Sequence, residues 1–283
     1  MSKNQKNVIS LAVSVLLVIC FAVICLWERP KEEYDIVFLG DSVVGNAWYE
    51  PTCVSVVSER TGMKIFNGAF GGTAMSGVES EAGVKEPALW SMVKLTKAIC
   101  HDDWKAQKAS MAYADHYRDV NTQALFFFKE RMDQLSRVDF SKVKILIITH
   151  GTNDYNNGNP LDNPKDPFDE STFGGALRSS LKLLQEHYPD LRIILMTPVY
   201  CEIGKQGELK SHNTSFGGGT LGEYVAKEME IATEYGVEIL DAYHESGIWE
   251  ENIEEYLFDY LHPNDAGNTL LGNFVADYLL ETR

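Results

Sequence analysis

The sequence predicts an α/β fold, a doubly wound sandwich in which a parallel sheet is covered by helices. Two observations carry this expectation. Five short runs are rich in β-branched residues and apolar throughout, as strands buried on both faces of a parallel sheet should be. Between them lie stretches with helical spacing, and strands alternating with helices build a sheet of this kind. A third observation adds an appendage. Val8 to Trp27 (VISLAVSVLLVICFAVICLW) carries no charge and is long enough to cross a bilayer as a helix.

Taken in chain order, residues 1–7 read as a cytoplasmic tail, 8–27 as a transmembrane anchor and 28–34 as a charged linker in which Pro30 stops the helix. Lys3 and Lys6 precede the apolar segment, while Glu28, Glu32, Glu33 and Asp35 gather beyond it, so the positive-inside bias places the remainder outside the cell. The competing reading is a cleaved signal peptide and a secreted domain. The apolar stretch is long for that, and no small-x-small cleavage site follows.

The folded domain spans 35–283. Its predicted strands are Asp35–Leu39, Lys64–Asn67, Val143–Thr149, Arg192–Thr197 and Val237–Leu240. Helices are expected near Tyr49–Thr61, Pro87–Ile99, Thr122–Leu135, Phe173–His187, Gly219–Tyr235 and Asn264–Leu280. Residues 73–139 form a helical insertion without a convincing strand. It reads either as extra cover for the sheet, since apolar stripes at helical spacing usually pack into a core, or as a lid over a site.

Composition narrows the function. At 283 residues the chain can bury a full core, and 45% apolar with 23% charged residues argues against disorder. A net charge of −16 excludes nucleic acid as a natural partner, because a phosphate backbone demands basic patches. Beyond the anchor only Cys53, Cys100 and Cys201 remain, an odd number at wide spacing that makes neither a disulfide framework nor a zinc site. Buried apolar packing is the expectation for all three.

Ligands of open α/β sheets bind beyond the carboxyl ends of the strands, so the residues after each strand carry the chemistry. Strand one ends in Gly40-Asp41-Ser42, strand two in Asn67-Gly68-Ala69-Phe70-Gly71-Gly72, and strand three in His150-Gly151-Thr152-Asn153-Asp154. Just before the last helix comes Asp259-Tyr260-Leu261-His262-Pro263. A serine hydroxyl needs a base within hydrogen-bond reach to become a nucleophile. His262 suits that role, and Asp259, three residues earlier, can hold its other ring nitrogen and stabilise the imidazolium. Gly72 and Asn153, at the ends of neighbouring candidate strands, can offer a backbone N–H and a side-chain amide to an oxyanion.

These four blocks, in this order, resemble the SGNH, or GDSL, hydrolases: Gly-Asp-Ser, Asn-x-x-x-x-Gly, Gly-Thr-Asn-Asp and Asp-x-x-His. The resemblance runs from about Asp35 to the end and departs in two respects, Gly-Asp-Ser-Val replacing the common Gly-Asp-Ser-Leu and a long segment following Gly72. It implies a flavodoxin-like three-layer α/β/α sandwich with a five-stranded parallel sheet. It implies a catalytic triad of Ser42, Asp259 and His262, and an oxyanion hole built by Ser42, Gly72 and Asn153. It also implies a serine hydrolase of carboxylic esters that needs no metal or organic cofactor. The expected substrate is an O-acyl ester, an O-acetyl group foremost, on a cell-envelope or environmental carbohydrate. Two alternatives stand beside it: an acyltransferase moving the acyl group between glycans through the same triad, and a non-catalytic glycan-binding surface protein. Oligomeric state is not legible.

Other residues have plainer expectations. Asp41 and Asp154 should support the turns beside them by bonding local backbone. His150 is the rival base but reads as packed and hydrogen-bonded. His101, His116, His187, His212 and His244 show no ligand spacing. Trp48, Tyr49, Tyr155 and Tyr200 follow strand ends and read either as packing or as stacking surfaces for a sugar or acyl group. The run Gly217-Gly218-Gly219 lacks the Lys-Ser/Thr of a phosphate loop, which disfavours nucleotides.

Overall fold

Ile36–Gly40 and Ile145–Thr149 are buried at every residue, a pattern that only the interior of a layered sandwich accommodates. The computed structural model describes residues 30–45, 49–77, 89–110, 128–205, 208–210 and 212–282. Its strands are β1 (Ile36–Gly40), β2 (Ile65–Asn67), β3 (Ile145–Thr149), β4 (Arg192–Met196), β5 (Ile203–Lys205), β6 (Glu208–Lys210) and β7 (Glu238–Leu240). Five of them form one sheet in the order β2-β1-β3-β4-β7, each pair parallel, with Ile36 opposite both Ile65 and Ile145. All five predicted strands are present within a residue or two of their expected bounds. The antiparallel pair β5–β6 is an addition that the sequence reading lacked.

The described helices are α1 (Ser42–Gly45), α2 (Cys53–Thr61), α3 (Met92–His101), α4 (Phe128–Leu135), α5 (Thr152–Asn157), α6 (Phe173–His187), α7 (Leu221–Tyr235), α8 (Ala242–Glu245), α9 (Ile253–Tyr256) and α10 (Asp265–Glu281). Local chemistry sets their ends. Thr220 caps α7 through a reciprocal pair with Glu223, Gly236 closes it in the left-handed region, and the Asn264 side chain caps α10.

Connectivity makes the layers. The chain steps from β1 outward to β2, then returns across β1 to β3 and continues through β4 to β7. Right-handed crossovers running in opposite directions put their helices on opposite faces. Accordingly α2 packs with α10, whereas α6 packs with α3 and α7. At the α2–α10 seam a Cβ on Gly272 would lie 2.7 Å from Val56 Cγ1, so only glycine permits this approach. The reversal of strand order falls between β1 and β3. That crevice is where open α/β sheets receive ligands.

The sheet order corrects one expectation. β2 and β3, which end near Gly72 and Asn153, are not neighbours but flank β1 on either side. The described parts of 73–139 contribute Trp90, Met92, Leu95, Ile99, Met132 and Leu135 to the core. Residues 1–29, 78–88 and 111–127, with Trp48 and His116, lie outside the described residues, and so do the predicted tail and anchor. Among the described residues no helix is long and apolar enough to cross a membrane.

Candidate active site

Ser42 opens α1 directly after β1, and a close approach fixes the turn. A Cβ at Gly40 would lie 3.0 Å from the Thr149 carbonyl oxygen of the adjacent strand, so glycine there lets β1 and β3 end side by side. Asp41 Oδ1 accepts the Val43 N–H at 2.9 Å, which bends the chain into α1 and matches the expected local support. Burial pushes the Asp41 carboxyl up to about 7, against the Val43 N–H.

The Ser42 hydroxyl lies 2.9 Å from Nε2 of His262, across 220 residues of sequence. Nδ1 of the same ring lies 2.6 Å from Asp259 Oδ2. The other carboxylate oxygen, Oδ1, accepts the backbone N–H groups of His262 at 2.7 Å and Leu261 at 3.1 Å. The Asp259–His262 loop therefore folds back on its own aspartate. Burial of Asp259 disfavours its charge, but the hydrogen bonds from the His262 ring and backbone outweigh that and hold the carboxyl below its usual value. A charged carboxylate on Nδ1 fixes a proton there and leaves Nε2 free to accept one from Ser42.

Three attachments hold this loop. Leu257 and Pro263 bridge its base, the Tyr260 carbonyl accepts the Glu202 N–H at 2.9 Å, and the Tyr260 hydroxyl donates to Glu254 Oε1 at 2.6 Å. Tyr260 has φ +65°, a left-handed conformation that costs a bulky residue energy and persists because its surroundings impose it. Phe258 stacks on the His262 ring, 5.9 Å between centroids and 23° between planes. Tyr49 in turn lies 5.2 Å from Phe258.

Gly72 has φ +76°, which explains glycine at that position, and a side chain there would meet nothing within 4 Å. Asn153, in α5 after β3, donates from Nδ2 to the Thr73 carbonyl at 2.9 Å. The amide is thus fixed next to Gly72, and its nitrogen carries a second hydrogen.

Asp154 departs from expectation. It binds the chain beyond Gly72, accepting from Met75 N at 2.7 Å, Ser76 N at 3.1 Å and Ser76 Oγ at 2.6 Å, and it also accepts from the Asn159 side chain at 3.2 Å. His150 is fully buried; among the described residues its Nε2 makes a 3.4 Å approach to Thr73 Oγ1 and its Nδ1 has no hydrogen-bond partner. Burial lowers its pKa to about 3, so it is a neutral, packed side chain at working pH.

The aromatic candidates separate. Tyr155 is fully buried, and Tyr200 is nearly so, with its hydroxyl on Glu202 and His212. Tyr49 is 37% exposed and stands beside the His262 loop. Cys53 and Cys201 are buried as expected, whereas Cys100 is only partly so.

Two features escaped the sequence reading. Asp241-Ala242-Tyr243-His244 is a second Asp-x-x-His, with His244 Nδ1 2.8 Å from Asp241 Oδ2 and its N–H 3.1 Å from Oδ1. This pair repeats the Asp259–His262 geometry, but among the described residues its ring is bonded to no serine. Arg131 of α4 is the second feature. Its guanidinium donates to the carbonyl of Gly45 at 2.8 Å and to that of Ala69. Among the described residues no group of three His, Cys, Asp or Glu side chains is arranged to hold a metal ion.

Comparison with known proteins places this site in context. Residues 104–270, more than half of the chain, match the GDSL-like Lipase/Acylhydrolase family. That span contains Asn153, Asp259 and His262 but begins beyond Ser42 and Gly72. No curated protein matches the chain. Among solved structures, a protein from Lactobacillus plantarum is 18% identical with a TM-score of 0.62, covering 90% of this chain and 99% of its own. A lipase/acylhydrolase from Enterococcus faecalis is 17% identical at a TM-score of 0.50, covering 87% and 95%. Est24, a carbohydrate acetylesterase from Sinorhizobium meliloti, is 15% identical at a TM-score of 0.51, covering 88% and 99%. At these identities the likeness is one of fold.

Proposed function

The chain belongs to the GDSL-like lipase/acylhydrolase family and is an ester hydrolase, and from that premise we propose that Ser42, His262 and Asp259 are its catalytic triad. One observation carries the assignment. A continuous hydrogen-bond chain runs from the Ser42 hydroxyl through both ring nitrogens of His262 to the Asp259 carboxylate, at 2.9 and 2.6 Å. In this reading His262 Nε2 takes the Ser42 proton as the oxygen attacks the ester carbonyl, and Asp259 stabilises the imidazolium. The imidazolium then protonates the departing alcohol. Water, deprotonated by the same ring, releases the acid and restores the serine. The oxyanion is held by the N–H groups of Ser42 and Gly72 and by the Asn153 amide.

The substrate we propose is an O-acyl ester, foremost O-acetyl, on a carbohydrate. Tyr49 and Phe258, 37% and 42% exposed, form an exposed aromatic pair beside the face of the His262 ring. Aromatic rings in that position suit the apolar face of a pyranose. Hydrolysis is favoured over transfer because the matching family is described as lipases and acylhydrolases. The uncharged stretch 8–27 supports a single-pass anchor with this domain outside the membrane.

The chemistry is tested by Ser42→Ala, which should abolish turnover of an aryl acetate and labelling by a fluorophosphonate. Retained activity overturns the triad. Protease treatment of intact cells tests the topology: a domain left uncut until the membrane is opened refutes the extracytoplasmic placement.

A further inference from the structure

The segment between β2 and β3 reaches back into the loops that would do the chemistry. Arg131, on α4, sends one guanidinium nitrogen to two main-chain carbonyls at once: that of Gly45 at 2.8 Å and that of Ala69. Gly45 is the last residue of α1, the turn that begins with Ser42. Ala69 lies three residues before Gly72, in the loop that follows β2. The two loops already touch there. A Cβ placed on Gly45 would lie 3.1 Å from the Ala69 carbonyl carbon and oxygen. The Asn67 side chain adds a second tie, donating to the Val44 carbonyl at 2.8 Å while accepting the Ala69 N–H at 3.1 Å.

We propose that Arg131 is a positioning residue for the ester chemistry: it clamps the Ser42 loop to the Gly72 loop, so that the backbone donors of both face one oxyanion. The proposal rests on the triad and oxyanion assignment above. Its physical basis is the way such donors work. They stabilise a developing charge only if set in place beforehand, and a shift of about 1 Å can cost about 100-fold in rate. Neither loop is a strand or a long helix, and Arg131 adds a tie from outside to the contacts that they make with each other. The two hydrogens on this nitrogen lie in the guanidinium plane and so point in fixed directions, one for each carbonyl, whereas an ammonium group rotates freely on a stem of different length. Burial depresses the Arg131 pKa only to about 10, so the group stays charged at neutral pH.

The test uses the full chain and an aryl acetate. Arg131→Ala is expected to lower kcat by about 10- to 100-fold with KM changed by less than about threefold, because the lost interaction acts in the transition state. Millimolar guanidinium ion should restore part of that rate, and Arg131→Lys should remain impaired. Two results overturn the proposal. One is an Arg131→Ala enzyme within about twofold of the parent in kcat. The other is a loss that follows a drop in unfolding temperature, is not rescued by guanidinium and is fully repaired by Arg131→Lys. Should the alanine variant fail to fold, Arg131→Gln read against Arg131→Lys decides the same question. Ser42→Ala runs in parallel. Activity surviving in that variant removes the triad itself, whereas an inert Ser42→Ala beside an unaffected Arg131→Ala removes only the clamp.

Discussion

The carboxylate of Asp154 and the hydroxyl of Ser76 meet at 2.6 Å although 78 residues separate them. Asp154 also takes the N–H groups of Met75 and Ser76 and an N–H of Asn159, so one buried side chain ties the chain after Gly72 to the turn after β3. Burial raises its pKa, against the opposing pull of these donors. Each buried donor left without a partner costs about 1–3 kcal/mol. Asp154→Ala is therefore expected to destabilise the fold by about 3 kcal/mol or more, measured by urea unfolding. A change below about 0.5 kcal/mol would show that water replaces the carboxylate without loss.

Asp259→Asn keeps the size of the side chain but presents an amide to Nδ1, which disfavours the tautomer that accepts a proton from Ser42. The expected fall in kcat is about 100- to 10,000-fold, with the fold intact. His244→Ala, at the second Asp-x-x-His, should stay within about twofold of the parent. Comparable losses in the two variants would mean that the dyads are not functionally distinct.

Glu228 is fully buried on α7, with no hydrogen-bond partner for either carboxylate oxygen among the described residues, and burial raises its pKa well above the usual 4.5. The folded state therefore holds this proton more tightly than the unfolded chain. That contribution to stability is complete below about pH 4.5 and is lost as pH rises through the folded-state value. Glu228→Gln removes the dependence. The variant should gain in unfolding temperature over the parent between pH 4.5 and pH 8, most at the alkaline end. A gap independent of pH would refute a buried neutral carboxyl.

Tyr49→Ala and Phe258→Ala test the aromatic surface. A stacked ring contact is worth about 0.5–1.5 kcal/mol, so each substitution should raise KM for an O-acetylated sugar by about two- to tenfold. Turnover of a small alkyl acetate should change less. Equal effects on both substrates would assign these rings to orienting His262 rather than to holding the alcohol.

Much of the fold is legible because strands buried on both faces leave continuous apolar runs, as Ile145–Thr149 does. Helix starts announce themselves through Thr220 with Glu223 and through Asn264. The position of Asp259-Tyr260-Leu261-His262 before the last helix singles out the histidine that meets Ser42, even though Asp241-Ala242-Tyr243-His244 carries the same spacing. What stays hidden has a common cause. Arg131 and Asp154 bind main-chain groups of distant loops, and any residue type at Gly45, Ala69 or Met75 presents such a group. The β5–β6 hairpin escapes for another reason: Ile203-Gly204-Lys205 and Glu208-Leu209-Lys210 mix charged residues and a glycine into the strands and so lack the apolar run of a buried strand.

The seam where Gly272 lets α10 settle against Val56 has a consequence for the order of synthesis. The proposed nucleophile emerges from the ribosome among the first folded residues, while its base arrives 220 residues later, just ahead of the helix that closes this seam. A nascent chain that stops short of residue 262 carries the serine but not the imidazole that meets it. Ester cleavage through the proposed triad thus waits until synthesis has passed residue 262.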